Sequence, residues 1–265
     1  MYAIINGELL PKEEAKILIT DLAVQRGYGI FDFFRTVNSQ PLFAEDHLDR
    51  FYHSAQSLHL PVQQSREQLK SLIAQLVKQN GMADSGIRIT LTGGYSEDGY
   101  LPAAPNLLIT QSPFTFTAAG FEKGIALLTH EYQRQLPETK TIDYIQAIYL
   151  QPSIKEKNAN DVLYYAGNAV TECPRSNFFM VTKNDEVITP AKNVLKGITR
   201  KRILSLTGFN IKEGHISPAD IINAKEAFIS STTKKVMPVV AINGKTIGNG
   251  QPGAITRAIF ERLHD

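Results

Sequence analysis

The hydrophobic positions of this chain switch between two periods. YAIINGELLP has apolar runs on either side of Asn6-Gly7 and predicts a hairpin. DFFRTVNSQPLF repeats that design around Asn38-Ser39. The period then changes: in EDHLDRFYHSAQSLHL, residues Leu48, Phe51, Ala55 and Leu58 recur at helical spacing. SREQLKSLIAQLVKQNG predicts a second helix, with Ser65 as N-cap and Gly81 as its stop. GIRITLTGG and PNLLITQSPF return to strand.

PFTFTAAG, residues 113–120, is the best linker candidate, so the expected division is 1–112, a linker at 113–120, and 121–265. Beyond it GIALLTH predicts a strand, and a helix is expected from about Asp143 to Asn158. Two hairpins follow, turning at Gly167-Asn168 and Asn184-Asp185. GITRKRILSLTG predicts a helix, and AKEAFISSTTKKVMPVVAINGKTIG is mostly strand, interrupted by small hydroxyls. A short helix ends the chain. No internal repeat or low-complexity segment is apparent.

Composition narrows this picture. With 265 residues, the chain suits two domains or one large α/β domain, and 43% hydrophobic against 20% charged residues marks it as globular. A net charge of +2, with no Lys/Arg run longer than the three residues Arg200–Arg202, gives no reason to invoke nucleic acid or an anionic membrane. Cys173 is the only cysteine, so neither an intramolecular disulfide nor a cysteine-rich zinc site can form. The six His residues include no H-E-x-x-H, and no metal is expected. No signal-peptide pattern and no apolar run of about 18 residues is present, so a cytoplasmic protein is the expectation.

Several residues carry candidate chemistry beyond packing. GITR, residues 197–200, opens a helix, whose free N–H groups and dipole suit an anion. FISSTT, residues 228–233, offers four hydroxyls to phosphate or carboxylate oxygens, or simply marks a bulge or turn. Arg50 in HLDRF is either a phosphate clamp or a surface residue. A desolvated Lys140 can form a Schiff base. Glu172, in VTECPRSNFF, is a carboxylate at the end of an otherwise apolar strand.

The order of these segments resembles the class IV pyridoxal-phosphate aminotransferases, which include D-amino-acid and branched-chain aminotransferases and aminodeoxychorismate lyase. NGELLP, GYGIFDFFRT, HLDRFYHSAQSL, the Lys140 segment, AVTECPRSNFF, LKGITRKRIL, EAFISSTTKKVMPV and AINGKTIGNGQPG carry the likeness over nearly the whole chain. The resemblance implies a two-domain α/β fold with pyridoxal 5'-phosphate in the inter-domain cleft. It makes Lys140 the Schiff-base lysine and general base, Glu172 the partner of the pyridine nitrogen, and Arg50, Ile198, Thr199, Ser231 and Thr232 the phosphate site. Phe31 and Asp32 then line the site. It also implies a homodimer acting on small amino acids and 2-oxo acids.

Two departures separate this chain from its relatives. The D-amino-acid enzymes carry an Arg-x-His pair where this chain has Asp98 and Tyr100, and a carboxylate cannot bind the substrate carboxylate. The branched-chain enzymes usually have glycines where this chain has Phe33 and CPRSN. By elimination Arg26 and Arg175 become the candidates for the substrate carboxylate, with Thr233 as support. The expected activity is amino transfer from a D-amino acid or a branched-chain amino acid, with the D-amino acid favoured. Pyruvate elimination by a lyase and a non-catalytic cofactor-binding protein remain as alternatives.

Overall fold

A computed structural model describes residues 1–263 of the protein. They form two compact units, Met1–Thr115 with Thr139–Asp143, and Phe116–Glu138 with Tyr144 onward. The division expected from sequence assigned Thr139–Asp143 to the second part. Its backbone instead pairs with the first: Phe31 N donates to Lys140 O at 3.0 Å and Ile142 N to Gly29 O at 3.1 Å. Hydrogen bonding here overrides chain order, because extended backbone beside a strand finds its partners there.

In the first unit β1 (Tyr2–Ile5) and β2 (Glu8–Pro11) form the expected hairpin. Asn6 and Gly7 both have positive φ, 52° and 91°, as a tight hairpin turn demands. α1 (Leu22–Arg26) leads to β3 (Gly29–Val37) and β4 (Gln40–Pro41), then α2 (Ala44–Ser57), α3 (Arg66–Asn80), β5 (Ser85–Thr92) and β6 (Leu107–Pro113). The six strands lie in the order β2-β1-β6-β5-β3-β4 with every pairing antiparallel. Ile87 and Ile89 of β5 are fully buried with Leu48 and Phe51 of α2 and Leu69, Ile73 and Leu76 of α3. Each contributes roughly 1.5–3 kcal/mol by leaving water. Ser65 caps α3 in a reciprocal capping box with Gln68, and Gly81 ends that helix in the left-handed region.

The second unit contains β7 (Ile125–Glu131), α4 (Ile145–Tyr149), α5 (Gln151–Glu156), β8 (Asp161–Ala166), β9 (Ala169–Val170), β10 (Glu172–Cys173), β11 (Ser176–Val181) and β12 (Glu186–Pro190). It continues through α6 (Ile198–Leu204), β13 (Asn210–Gly214), α7 (Pro218–Ile222), β14 (Glu226–Ser231), β15 (Lys235–Ile242), β16 (Lys245–Thr246) and α8 (Ala254–Arg262). The sheet runs β13-β12-β11-β14-β15-β7-β8-β9, with β10 on β11 and β16 on β15. The single helix expected from about Asp143 to Asn158 is two short ones. Pro152 opens the second, where its missing N–H is tolerated but continuation from the preceding turn is not. The hydroxyl-rich interruption after β14 is a tight turn into β15, and both strands keep their register from Ala227–Val239 to Ser231–Lys235. No helix among the described residues is long and apolar enough to cross a membrane.

Candidate active site

In the first unit, Lys140 is seated by backbone. Its carbonyl accepts from Phe31 N, and its own N–H donates to Ser54 Oγ at 3.1 Å. Its ammonium nitrogen then lies 4.6 Å from the centroid of the Phe31 ring. The Arg88 guanidinium lies 4.1 Å from the same ring, because Arg88 projects from β5 between the inward Ile87 and Ile89. One aromatic residue therefore carries two cations, an arrangement favourable through the ring's negative faces.

Asp32 is fully buried. Arg50 Nε and Nη2 donate to its two oxygens at 2.8 Å each, His47 Nδ1 donates at 2.7 Å, and Phe33 N at 2.7 Å. Asp32 thus holds Arg50 in place. Burial alone would raise the carboxyl, but the Arg50 charge and hydrogen bonds, with His47, hold it well below the usual carboxylate range. Burial lowers His47, only partly offset by Asp32, while Arg50 and Lys140 lower it further. Arg50 keeps Nη1 uncommitted to Asp32, so its fork can still donate elsewhere.

Of the two proposed carboxylate binders, Arg26 lies exposed at the end of α1, where Nη1 donates to Gln25 O at 3.0 Å. Asp98, which replaces the expected arginine nearby, is used by its own loop. Its Oδ1 accepts from Tyr100 N at 2.9 Å, Leu101 N at 2.8 Å and Ser96 Oγ at 3.0 Å. The Leu101 and Tyr100 amides, with Ser96, lower its pKa.

In the second unit the carboxylate expected at a strand end instead opens the two-residue β10, after Thr171 separates it from β9. Glu172 is 4% exposed, and both oxygens are occupied. Arg134 Nε donates to Oε1 at 3.0 Å, and Nη2 lies 2.9 Å from the same oxygen. Oε2 accepts from Leu195 N at 3.0 Å and Asn177 Nδ2 at 3.1 Å. Such donors keep a buried carboxylate charged and in one orientation. Asn177 is itself held, because the same amide donates to Leu195 O at 2.8 Å. Gly197 passes so close that a Cβ there would meet Asn177 Oδ1 at 2.1 Å.

Gly197 is also the N-cap of α6 and, having no side chain, gives that helix start no cap of its own. Ile198 is buried and Thr199 half-buried at its first turn. Ser231 and Thr232 are half-buried at the turn after β14, where Ser231 Oγ accepts from Lys234 N at 3.2 Å and lies 3.4 Å from Thr233 Oγ1. Thr233 and Arg175 are exposed, the latter in the turn from β10 to β11. Cys173 is no nucleophile: burial, with Asp161 nearby, pushes its thiol well up.

Within the first unit, the fold brings Lys140, Phe31, Arg88 and the Asp32–His47–Arg50 cluster together on β3 and its neighbours. Within the second, Glu172 is joined to Arg134, Asn177 and the 195–197 segment. Reading the sequence missed Arg134, Arg88 and His47. Arg134 lies 38 residues before Glu172, and no local pattern marks so distant a partner. Arg88 carried one signal, a charge inside the alternating strand GIRITLT.

The profile of the amino-transferase class IV family matches residues 29–242. A D-alanine aminotransferase of Bacillus licheniformis is 29% identical over 274 residues, covering 100% of this chain and 96% of the relative. Among solved structures, the T.th. branched-chain amino acid aminotransferase with pyridoxamine 5'-phosphate superposes with a TM-score of 0.90 at 22% identity, covering 98% of this chain and 92% of that one. A Legionella pneumophila chain with a provisional assignment as 4-amino-4-deoxychorismate lyase gives 0.85 at 22%, covering 94% and 95%.

Proposed function

Because this chain belongs to the class IV amino-transferase family and is accordingly a transaminase, we propose that it moves the amino group of a D-amino acid to a 2-oxo acid, using pyridoxal 5'-phosphate. The D-alanine aminotransferase likeness, which extends over the whole chain, supports the D-amino acid over a branched-chain L-substrate.

The side chains fit that cofactor by their chemistry. An amine on Lys140 suits its aldehyde, and the buried anion of Glu172 suits its ring nitrogen. The guanidinium of Arg50, the start of α6 at Ile198 and Thr199, and the hydroxyls of Ser231 and Thr232 suit its phosphate. When bound, the cofactor supplies an aldehyde carbon for the amino group and a ring that accepts the electron pair of the Cα–H bond. With the cofactor bound, the amine of Lys140 would take the proton from the substrate Cα as general base and then, as an ammonium, give that proton up as general acid. Its fixed main chain limits where that nitrogen can reach. Glu172 would hold a negative charge against the ring nitrogen, and the hydrogen bonds from Arg134, Asn177 and Leu195 keep it from turning away. Arg26 and Arg175, with Thr233, orient the substrate carboxylate.

A homodimer belongs to the same reading. Leu18, Ile19, Val24, Tyr100 and Leu101 of the first unit are exposed at 59%, 82%, 59%, 79% and 65%, apolar area that a second copy would cover.

The observation that carries the proposal is a backbone-anchored Lys140 in a chain that also holds Glu172 as a buried, fully bonded anion. Borohydride reduction after loading with pyridoxal phosphate, followed by peptide mapping, is expected to label Lys140. A label on Lys196 or Lys225 instead would refute the assignment. A panel of both enantiomers of small and branched amino acids, read by the cofactor spectrum, is expected to respond to D-amino acids. A response to L-leucine alone would favour the branched-chain reading, and pyruvate released from aminodeoxychorismate without an amino acceptor would favour the lyase.

A further inference from the structure

Glu172, Asn177 and Ser230 form one row across β10, β11 and β14, with Glu172 opposite Asn177 and Asn177 opposite Ser230. Directly opposed residues of antiparallel strands share a face, so the three side chains rise from one side of the sheet. The first two are fully engaged with each other, with Arg134 and with Leu195. Ser230 is different. It is 1% exposed, and its Oγ has no hydrogen-bond partner among the described residues. Buried hydroxyls are nearly always paired, so an unpaired one calls for a specific cause.

Its place in the row supplies that cause. Strands spaced by ~4.8 Å put Ser230 roughly 10 Å from Glu172 across the sheet. One residue later β14 ends, and the turn bearing Thr232 and Thr233 begins. On the cofactor reading above, on which this inference rests, Glu172 faces the ring nitrogen and the turn faces the phosphate. Ser230 stands between those two anchors, next to the phosphate end. We infer that Ser230 is a further cofactor-binding residue, whose hydroxyl donates to an oxygen of the cofactor's phosphate ester.

The inference separates a ligand-directed hydroxyl from one satisfied within the protein. Apoenzyme of the wild type and of Ser230→Ala is titrated with pyridoxal phosphate and, separately, with pyridoxal, which lacks the phosphate. Binding is read by absorbance, and the melting temperature of each apoenzyme is recorded. The substitution is expected to weaken pyridoxal phosphate roughly three- to tenfold, the range for one hydrogen bond, and to leave pyridoxal unchanged. The melting temperature of the apoenzyme should hold or rise, because Ala removes a buried group that has no partner there. Unchanged affinity for pyridoxal phosphate, or equal weakening of both ligands, overturns the inference. So does a lowered melting temperature, since the hydroxyl would then have a partner inside the fold. If the wild type binds neither ligand, the cofactor reading falls and this assignment with it. If the wild type binds both and Ser230→Ala binds them alike, only the role of Ser230 falls.

Discussion

Asp32 and His47 both make this fold sensitive to acid, by the same sign. The carboxyl of Asp32 is depressed in the folded protein, so its stabilisation is complete above the ordinary aspartate value near 3.9 and drains away as pH falls below it. The imidazole of His47 is also depressed, so an unfolded chain takes up its proton first as pH drops through about 6.5. Melting temperature measured from pH 8 to pH 3 should therefore fall on the acid side. Asp32→Asn should lower stability at pH 7 by about 3–5 kcal/mol, since it leaves Arg50 buried without its anion. The gap to the wild type should narrow below pH 4, and a constant gap would remove the ion pair from the explanation. Glu172 gives a second test. Glu172→Gln keeps the shape but turns one oxygen into a donor, facing either Arg134 or the amides of Asn177 and Leu195. A loss of about 1–3 kcal/mol in urea unfolding is expected, with turnover slower by roughly 10²-fold from the lost charge. Full turnover in this variant would refute the role of Glu172.

Two helix starts show how elements are tied to the sheet. α8 has no cap of its own; Glu226, on β14, accepts from Ile255 N at 3.1 Å, Thr256 N at 2.8 Å and Thr256 Oγ1 at 2.7 Å. A carboxylate there also complements the positive end of the helix. The approach requires Gly253, where a Cβ would stand 1.8 Å from Glu226 Cδ. At α6 the same closeness occurs between Gly197 and Asn177. Gly197→Ala should push Asn177 from Glu172 and destabilise the protein by about 1–3 kcal/mol, as overpacking does. Urea unfolding measures the loss. An equally stable Gly197→Ala protein would mean that the segment before α6 shifts freely and does not hold Glu172 in place.

At the scale of the whole chain, the path crosses between the two units three times, because Thr139–Asp143 returns to the first. A fragment ending at Thr115 therefore lacks the segment that bonds Phe31 N and Gly29 O. In such a fragment the Phe31 amide should exchange with solvent far faster than in the full chain, as measured by hydrogen exchange. Equal protection would show that the first unit is complete without Lys140.

The sequence by itself determined most of the local elements and the family. Asn6-Gly7 and Asn38-Ser39 set hairpins because their backbones accept positive φ, and Ser65 and Gly81 bound α3 through bonds a few residues long. Each of these preferences acts within the span in which it is written. The ordered motifs likewise sufficed for the class IV resemblance, because they recur in chain order. Tertiary structure alone decided what surrounds the candidate residues. Asp32 belongs with His47 and Arg50, Glu172 with Arg134, and Thr139–Asp143 with the first unit. These partners lie on different elements and meet only when the sheets assemble. There the need to pair every buried charge and amide, which has no counterpart in a linear pattern, selects one arrangement.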